Sequence, residues 1–304
     1  MKALMSLLVS GLLACVLSVS TAQTDSSPLE LTGTLAKVRR AGTITLGYRE
    51  SSVPFSYVSP RGEPIGYSID LCKLLVDAIG DTIGRTVDIK WVAVTPQTRI
   101  AAVTGGQVDI ECGSTSSNVE RKKVVAFSPI IFVAGTKLLV RKNSSIRSFR
   151  DLTGKRVVVT ADTTNEAAMR ELAQRFKIAM QLSTAPDHAQ SFQQVASGQV
   201  DAFATDDVLL HGLIAQHKHQ GEFEVVGEFL SYDPYGLMYR KGDVQFAELV
   251  ADTFRQLAED RELERRYERW FLRRLPHSNI SLDLPMSRQL EAILRMQSSS
   301  NGTQ

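Results

Sequence analysis

The sequence has almost no excess of charge of either sign. Its 35 lysine and arginine residues are matched by 33 aspartate and glutamate residues, which gives a formal net charge of +2 at pH 7. A nucleic-acid-binding protein normally carries a concentrated basic excess, so the composition argues against that class. A phosphate-binding loop of the Walker type is also missing, which argues against an ATPase. Any preference for an anion must therefore come from a few placed side chains.

Cysteine is scarce as well, since the chain contains only Cys15, Cys72 and Cys112. The five histidines have no spacing typical of a metal site, and no Cys/His cluster accompanies them, so we expect neither a metal nor a cofactor. In an oxidising compartment Cys72 and Cys112 could form a disulfide. Two buried free thiols are the alternative, and both possibilities stay open at the level of the sequence.

Long apolar runs are absent except at the N-terminus, where one run spans residues 3–19. Lys2 precedes this run and small residues up to Ala22 follow it, which is typical of a signal peptide cleaved near Ala22. A retained membrane anchor is the alternative. The segment ending at Cys15 resembles a lipoprotein box, but the apolar residues that follow it favour a free product. We therefore predict a signal peptide over residues 1–22 and an exported mature protein.

Beyond a polar segment that extends to about Thr34, short apolar strands alternate with amphipathic helices. This alternation predicts an α/β fold built on parallel sheets. The predicted strands are Thr43–Gly47, Val87–Val92, Val108–Glu111, Arg156–Thr160 and Val200–Ala204, after which the chain runs through Glu224–Gly227 towards Gly236–Arg240. The predicted helices are Ile69–Ile79, Arg99–Val103, Glu166–Gln174, Phe246–Leu257, Glu262–Phe271 and Ser287–Leu294.

An internal repeat indicates two lobes of similar construction. The pattern from Ile100 to Asp109 returns 92 residues later, from Phe192 to Asp201, and both copies end in Gly-Gln-Val-Asp. Each copy reads as a helix, a glycine stop and a buried strand. Chance is the alternative explanation, because glycine before a buried strand is common in α/β proteins.

The repeat and the helical C-terminal segment together predict a discontinuous first lobe, residues 34–135 plus 233–304. A second lobe, residues 136–232, would be inserted into it. The chain then crosses between the lobes twice, near Val133–Lys137 and Leu230–Tyr235. Two such hinge strands suit a cleft that opens and closes.

Hydroxyl or charged side chains follow the predicted strands at their carboxyl ends. Ligands of parallel sheets bind outside those ends, which makes these side chains the candidates for a binding site. Thr163 precedes a helix whose N-terminus favours an anion, although plain helix capping would also explain it. Arginine matches a carboxylate with two parallel hydrogen bonds, and aspartate suits an ammonium group. The candidates are Arg49, Arg99, Ser114, Ser116, Arg121, Thr163, His188 and Asp206.

Three segments resemble a known family. They are the run from Arg49 to Tyr57, the run from Glu111 to Thr115 with Asn118–Arg121 after it, and Asp187-His188 with Ser191-Phe192. Together they are similar to the glutamate/aspartate-binding proteins of periplasmic ABC importers, in the polar amino-acid branch of the solute-binding proteins. The resemblance extends over almost the whole mature chain. It implies a type II, Venus-flytrap fold with two hinge strands and a location in the periplasm.

The resemblance also implies a role for each candidate. Arg121, Ser116 and Thr163 would hold the ligand α-carboxylate, Asp206 and Ser114 would hold the α-ammonium, and Arg49, Arg99 and His188 would face the side-chain carboxylate. Pro96 departs from the family pattern, because close relatives often have a serine there. We expect this change to alter the balance between glutamate and aspartate and to leave the ligand class intact. The implied partners are an acidic amino acid and the permease subunits of an ABC transporter, with the protein itself a monomer.

Two other functions are compatible with the same scaffold, since a fold does not decide function. A periplasmic dehydratase would need a general acid or base aimed at its substrate, and His188 is the one obvious proton shuttle among the candidates. The candidate side chains suit salt bridges better than proton transfer, so we expect no enzymatic activity. A sensory protein that presents its ligand to a receptor would use the same binding chemistry.

Overall fold

The computed structural model describes residues 30–217, 220–278 and 280–299. The predicted signal peptide and the lipoprotein box at Cys15 lie outside these residues. Within the described ranges, no helix is long and apolar enough to cross a bilayer.

The described helices are α1 (Gly33–Ala41), α2 (Tyr67–Ile83), α3 (Arg99–Thr104), α4 (Val119–Lys122), α5 (Thr164–Phe176), α6 (His188–Ala196), α7 (Asp207–Gln216), α8 (Val244–Glu259), α9 (Glu262–Tyr267) and α10 (Arg288–Ser299). A π-helical segment, Glu268–Leu272, continues α9, and 3₁₀ turns lie at Phe149–Leu152 and Gln220–Glu222. The described strands are β1 (Thr43–Tyr48), β2 (Ser51–Ser52), β3 (Ser56–Val58), β4 (Pro64–Ile65), β5 (Asp88–Ala93), β6 (Ile110–Glu111), β7 (Val125–Phe127), β8 (Phe132–Ala134), β9 (Thr136–Arg141), β10 (Arg156–Thr160), β11 (Gln181–Ala185), β12 (Ala202–Asp206), β13 (Phe223–Val226), β14 (Asp233–Tyr235) and β15 (Met238–Arg240).

One five-stranded sheet has the order β5-β1-β6-β15-β7. Strand β1 lies between β5 and β6 and is parallel to both, so that Gly47 lies opposite Val92 on β5 and opposite Glu111 on β6. Ile44 and Leu46 of β1 are fully buried. The sheet therefore brings the carboxyl ends of β1 and β6, with the polar segments that follow them, to the same edge.

A second five-stranded sheet has the order β11-β10-β12-β9-β13 and is buried on both faces. Alternate residues of the strands face opposite sides: Val157 and Val159 pack with Met169 of α5, whereas Val158 packs with Phe192 of α6. A strand that is covered on both faces is expected to be continuously apolar, as β10 is. This packing places the amino ends of α5 and α6 beside the carboxyl end of β10.

The chain passes between the two sheets through a small antiparallel pair, β8 and β14. These strands lie in the segments predicted as hinges. The first crossing leads directly into β9, and the second leads into β15. The predicted two-lobed fold is confirmed by this topology, while the residue boundaries of the lobes stay a prediction.

Each large sheet is mixed, whereas the sequence predicted parallel sheets. In each sheet one strand, β15 or β9, runs antiparallel to its two neighbours. The reason lies at the crossings. Thr136, the first residue of β9, lies opposite Asp206, the last of β12, and Met238, the first of β15, lies opposite Glu111, the last of β6. A strand that enters at the carboxyl edge of the sheet must run against the strands that end there.

Helix α1 was missed in the sequence, which indicated only a polar segment followed by a strand. The helix is short and buries only Leu35 and Val38 among its residues, so its apolar pattern is weak. It ends at Gly42, which adopts a left-handed conformation that suits glycine.

Cys72 and Cys112 form a disulfide, which settles the alternative left open by the sequence. The bond joins α2 to the residue that follows β6. Both cysteines are fully buried. The disulfide therefore anchors the start of the segment that carries Ser114 and Ser116.

Candidate ligand-binding cleft

Arg49 follows β1 and is buried, with 2% of its surface exposed. Its backbone N–H donates to Ser56 Oγ at 2.9 Å. Its Nη1 has no hydrogen-bond partner among the described residues. Burial lowers the pKa of Arg49 to about 9, and the positive charge of Arg99 adds to this effect. A buried guanidinium with an unsatisfied donor is a strong attractor for an anion.

Arg99 is the first residue of α3 and is equally buried, at 3% exposure. Its Nη2 donates a long hydrogen bond, 3.4 Å, to the backbone carbonyl of Asp162, which belongs to the segment after β10. Its Nε has no partner within the part of the chain that the structure describes. Burial lowers the pKa of Arg99, while the carboxylate of Glu111 opposes the change. Arg99 thus connects α3, beside the first sheet, to the backbone that follows β10 in the second sheet.

Arg121 belongs to the short helix α4, which Asn118 caps by accepting a hydrogen bond from the Arg121 backbone at 2.9 Å. The guanidinium bends back so that Nη1 donates to the Ser116 carbonyl at 2.9 Å. Burial lowers the pKa of Arg121 to about 10, and the charge of Arg99 lowers it further. Because Arg99 acts on the pKa of both Arg49 and Arg121, the three guanidinium groups form one cluster.

Two hydroxyl groups lie beside this cluster, on the segment after β6. Ser114 is buried, and its Oγ has no hydrogen-bond partner among residues 30–217, 220–278 and 280–299. Ser116 Oγ lies 3.2 Å from Thr164 Oγ1, the first residue of α5. The Ser116 contact joins the two lobes directly.

Thr163 is the N-cap of α5, as predicted. Its hydroxyl donates its proton to the Thr160 carbonyl at 2.7 Å and accepts from the Glu166 backbone at 3.2 Å. In this arrangement the hydroxyl has no proton left for a carboxylate. The neighbouring Thr164, which was not among the candidates, is the residue that directs its hydroxyl towards Ser116.

The hydrogen bonds around His188 assign its tautomer. Ser191 Oγ donates its single proton to the Asp187 carbonyl at 2.9 Å. Thr160 Oγ1, 2.9 Å from Ser191 Oγ, must then be the donor of that bond. Thr160 therefore accepts from His188 Nδ1 at 2.8 Å, which leaves Nε2 as the unprotonated nitrogen of a neutral ring.

The neutral state of His188 follows from its surroundings. The ring is 2% exposed, and burial holds its pKa well below the usual range, with Arg49 and Arg99 adding to the shift. A neutral ring of this tautomer accepts a hydrogen bond at Nε2. The arginines, in contrast, can donate to a carboxylate without any change of protonation.

Asp206, at the end of β12, supplies a carboxylate in the same region. Its Oδ1 accepts from Asn165 Nδ2 at 2.7 Å, and its Oδ2 accepts from the Tyr235 hydroxyl. Burial raises the pKa of Asp206 to about 8 and Asp233 contributes, whereas the hydrogen bonds from Tyr235 and Asn165 act in the opposite direction. A buried carboxylate of this kind gains from a nearby ammonium group.

Asn165 connects Asp206 to the crossing segments. The same Nδ2 also donates to Thr136 Oγ1 at 2.7 Å, and Asn165 Oδ1 accepts from Thr205 at 3.2 Å. Thr136 in turn lies 2.7 Å from Ser231 Oγ, whose proton goes to Asp233. A continuous chain of buried or partly buried polar groups therefore extends from Asp206 to both crossings.

Hydrogen bonds and charge interactions connect seven of the eight predicted residues across the two sheets, and Ser114 lies on the same segment as Ser116. Their individual roles towards a ligand stay a prediction. Asn165 and Tyr235 could not be singled out from the sequence, because each acts through a hydrogen bond to Asp206, which lies 41 residues from Asn165 and 29 residues from Tyr235. Glu111 was not predicted as a site residue and appeared only within a family motif. An acidic residue in a buried strand could have indicated its importance.

The chain matches a family of known proteins over most of its length. The model for bacterial extracellular solute-binding proteins, family 3, matches residues 44–273. An L-glutamate/L-aspartate-binding protein of Pseudomonas aeruginosa is 40% identical over 291 residues, which cover 95% of this chain and 95% of that protein. A glutamate/aspartate import solute-binding protein of Escherichia coli is 38% identical over 287 residues, with 94% and 95% covered.

Solved structures give the same result for the fold. An ancestral arginine-binding protein bound to arginine is 30% identical, with a TM-score of 0.69 over 76% of this chain and 98% of that one. An ancestral amino acid-binding protein, described as a precursor of cyclohexadienyl dehydratase, is 31% identical, with a TM-score of 0.68 over 78% and 99%. The chain belongs to the bacterial extracellular solute-binding proteins of family 3, as the motifs predicted.

Proposed function

We propose that this protein captures glutamate or aspartate outside the cytoplasm and delivers it to the permease of an ABC importer. The observation that carries the proposal is the cluster of Arg49, Arg99 and Arg121, in which two buried guanidinium nitrogens have no partner among the described residues. An acidic amino acid has two carboxylates for these donors. The names of the two relatives, which are 40% and 38% identical, support the same ligand class.

Each ligand group has a matching partner in the cleft. Arg121 and Ser116 would bind the α-carboxylate with the amino end of α5, and Asp206 with Ser114 would bind the α-ammonium. Arg49 and Arg99 would bind the side-chain carboxylate, with His188 beside them. Hydrogen bonds to charged groups contribute roughly 1.5–3 kcal/mol each, so several of them, after the losses on immobilisation, allow micromolar or tighter binding.

The ligand would act by stabilising the closed arrangement. The proposed contacts come from both sheets, so a ligand that touches both favours the state in which they approach each other. The closed form would then be recognised by the permease. We place the mature protein in the periplasm, with residues 1–22 removed as a signal peptide.

The chain is a binding protein rather than an enzyme. The curated relatives are binding proteins, and the side chains of the cleft suit ground-state ion pairs. A neutral, buried His188 whose Nδ1 is committed to Thr160 offers little to a proton-transfer reaction.

A thermal-shift panel of the twenty amino acids tests the ligand class. A ligand at 100 times its dissociation constant stabilises a protein by about 2.7 kcal/mol, which raises the melting temperature by several degrees. We expect glutamate and aspartate to give the largest shifts and glutamine a much smaller one. A larger shift with a basic or apolar amino acid would contradict the proposal.

A further inference from the structure

Glu111 is a carboxylate that packs beside Arg49 of the arginine cluster. It is the last residue of β6 and is fully buried. Its Oε2 accepts a hydrogen bond from Thr115 Oγ1 at 2.7 Å, and its Oε1 has no partner among the described residues. Thr115 therefore holds one carboxylate oxygen, Oε2, in place, while the hydrogen-bonding capacity of the other, Oε1, is left unsatisfied.

The position of Glu111 relative to Arg49 is set by Gly113. A Cβ atom on Gly113 would lie 2.2 Å from Glu111 Oε1 and 3.0 Å from Arg49 Cγ, so that the two side chains pack against the same glycine. Any other residue at position 113 would push one of them away. The absence of a side chain at Gly113 thus permits the carboxylate and the arginine to come close together.

Glu111 acts on all three guanidinium groups and not on one alone. Its negative charge opposes the lowering of the pKa of Arg49, of Arg99 and of Arg121. A carboxylate that served only one arginine would be expected to form a bidentate pair with it. Glu111 instead reduces the positive potential of the whole cluster.

We infer that Glu111 is a specificity-determining residue, which limits the cleft to ligands of one net negative charge by offsetting part of the charge of the three arginines. This inference rests on the proposed function and concerns the net charge of the ligand that the cleft selects. Without Glu111 the cleft would gain one unit of positive charge. The affinity for a ligand would then increase with each negative charge that the ligand carries, compared with the natural protein. The increase would be largest for a dianion without an ammonium group.

Three ligands of similar length separate this effect from general binding. Glutamine has no net charge, glutamate has one negative charge, and glutarate has two. Unit charges roughly 8–10 Å apart in an effective dielectric near 20 interact strongly enough to change affinity by about 10-fold or more. The effect of removing the Glu111 charge should therefore grow with the charge of the ligand.

The experiment is isothermal titration calorimetry of the full mature chain and its Glu111→Gln variant with these three ligands at pH 7.5. We expect the glutarate-to-glutamate affinity ratio to rise by about 10-fold in Glu111→Gln, and the glutamate-to-glutamine ratio to rise by a similar factor. Equal changes for all three ligands would overturn the inference. Thr115→Val, which removes the hydrogen bond and keeps the charge, should leave both ratios unchanged.

Two further results keep the test decisive. Glu111→Asp shortens the side chain by one methylene group and so moves the carboxylate away from the arginines. It should raise the glutarate-to-glutamate and glutamate-to-glutamine affinity ratios by a smaller factor than Glu111→Gln does. If Glu111→Gln does not fold, unchanged ratios in Glu111→Asp would overturn the inference on their own. Failure of the natural protein to bind glutamate would instead contradict the proposed function, so the two failures are distinguishable.

Discussion

The Tyr235 hydroxyl donates a hydrogen bond to Asp206 Oδ2. Tyr235 ends the crossing strand β14, and Asp206 ends β12 of the second sheet. Tyr235 also packs edge-on against Phe55 of the first lobe, with ring centroids 5.1 Å apart. The bond therefore ties the carboxylate that would receive the ligand ammonium to one of the two strands that cross between the sheets.

Ligand binding should release a proton near neutral pH because of Asp206. Without ligand, the pKa of Asp206 is raised to about 8, so the carboxyl group is largely protonated at pH 7. An ammonium group favours the ionised form, and binding must then expel the proton. We expect the affinity for glutamate to rise between pH 6.5 and 8, by up to about 10-fold per pH unit, and to level off above pH 8.

Calorimetry in buffers of different ionisation enthalpy measures this proton release directly. His188 contributes little in that range, because its pKa is held well below 6.5. Asp206→Asn should bind more weakly, and its affinity should not depend on pH between 6.5 and 8. A proton uptake by the natural protein at pH 7 would contradict the assignment.

Arg121 and Arg99 should differ in what they recognise. We expect Arg121→Ala to weaken glutamate, aspartate and glutamine alike by about 100-fold or more, because it removes hydrogen bonds to the α-carboxylate that all three share. Arg99→Ala should weaken the two acidic ligands by a similar factor and glutamine much less. Calorimetry with the three ligands measures both profiles.

Arg255 offers the matched control for these substitutions. Its side chain is partly exposed and forms an ion pair with the exposed Asp252 at 2.7 Å. Arg255→Ala should leave every affinity unchanged, since exposed ion pairs contribute about 0–1 kcal/mol to stability. Equal losses for all ligands in Arg121→Ala and Arg99→Ala would remove the proposed division between the two arginines.

Asn165 should contribute to stability as well as to binding. In Asn165→Leu, Asp206 Oδ1 and Thr136 Oγ1 would each lose the donor that Asn165 supplies, and the Thr205 hydroxyl would lose its acceptor; all three residues are buried. Buried polar groups without partners destabilise a fold, and we expect a loss of about 2–4 kcal/mol in the free energy of unfolding. Urea denaturation followed by circular dichroism measures this loss.

Thr104→Val serves as the comparison for Asn165, because its hydroxyl is exposed and makes one hydrogen bond of 3.3 Å to the Ala101 carbonyl. We expect a change of less than about 0.5 kcal/mol there. If Asn165→Leu unfolds at the same urea concentration as Thr104→Val, the hydrogen bonds that link Asp206 to the crossings do not contribute to the free energy of unfolding.

The tautomer of His188 can be read by nuclear magnetic resonance. The chain from Thr160 to Ser191 and Asp187 places the proton on Nδ1. We expect ¹⁵N shifts of a neutral ring protonated at Nδ1, unchanged from pH 8 down to pH 6. Thr160→Val should remove this preference, because Nδ1 then loses its acceptor. A ring protonated at Nε2 in the natural protein would show that the hydrogen-bond chain runs in the opposite direction.

Much of this arrangement was accessible from local sequence pattern. Strands such as β10 are short, continuously apolar and bounded by polar residues, and their limits were predicted because these features are local. The N-cap at Thr163 was predicted for the same reason. The two crossings followed from the internal repeat and the helical C-terminal segment together, and neither feature needs any knowledge of contacts between the lobes.

Periodicity, the internal repeat and the motifs were enough to predict the two-lobed α/β fold, the family and the residue types available for an acidic ligand, because these features lie in the linear order of the residues. The three-dimensional fold was needed to establish the disulfide between Cys72 and Cys112, the tautomer of His188 and the bond from Tyr235 to Asp206. It also decided that Glu111 packs beside Arg49 of the arginine cluster. Each of these depends on which distant atoms are brought together and removed from water, and burial sets the charge that a group can carry.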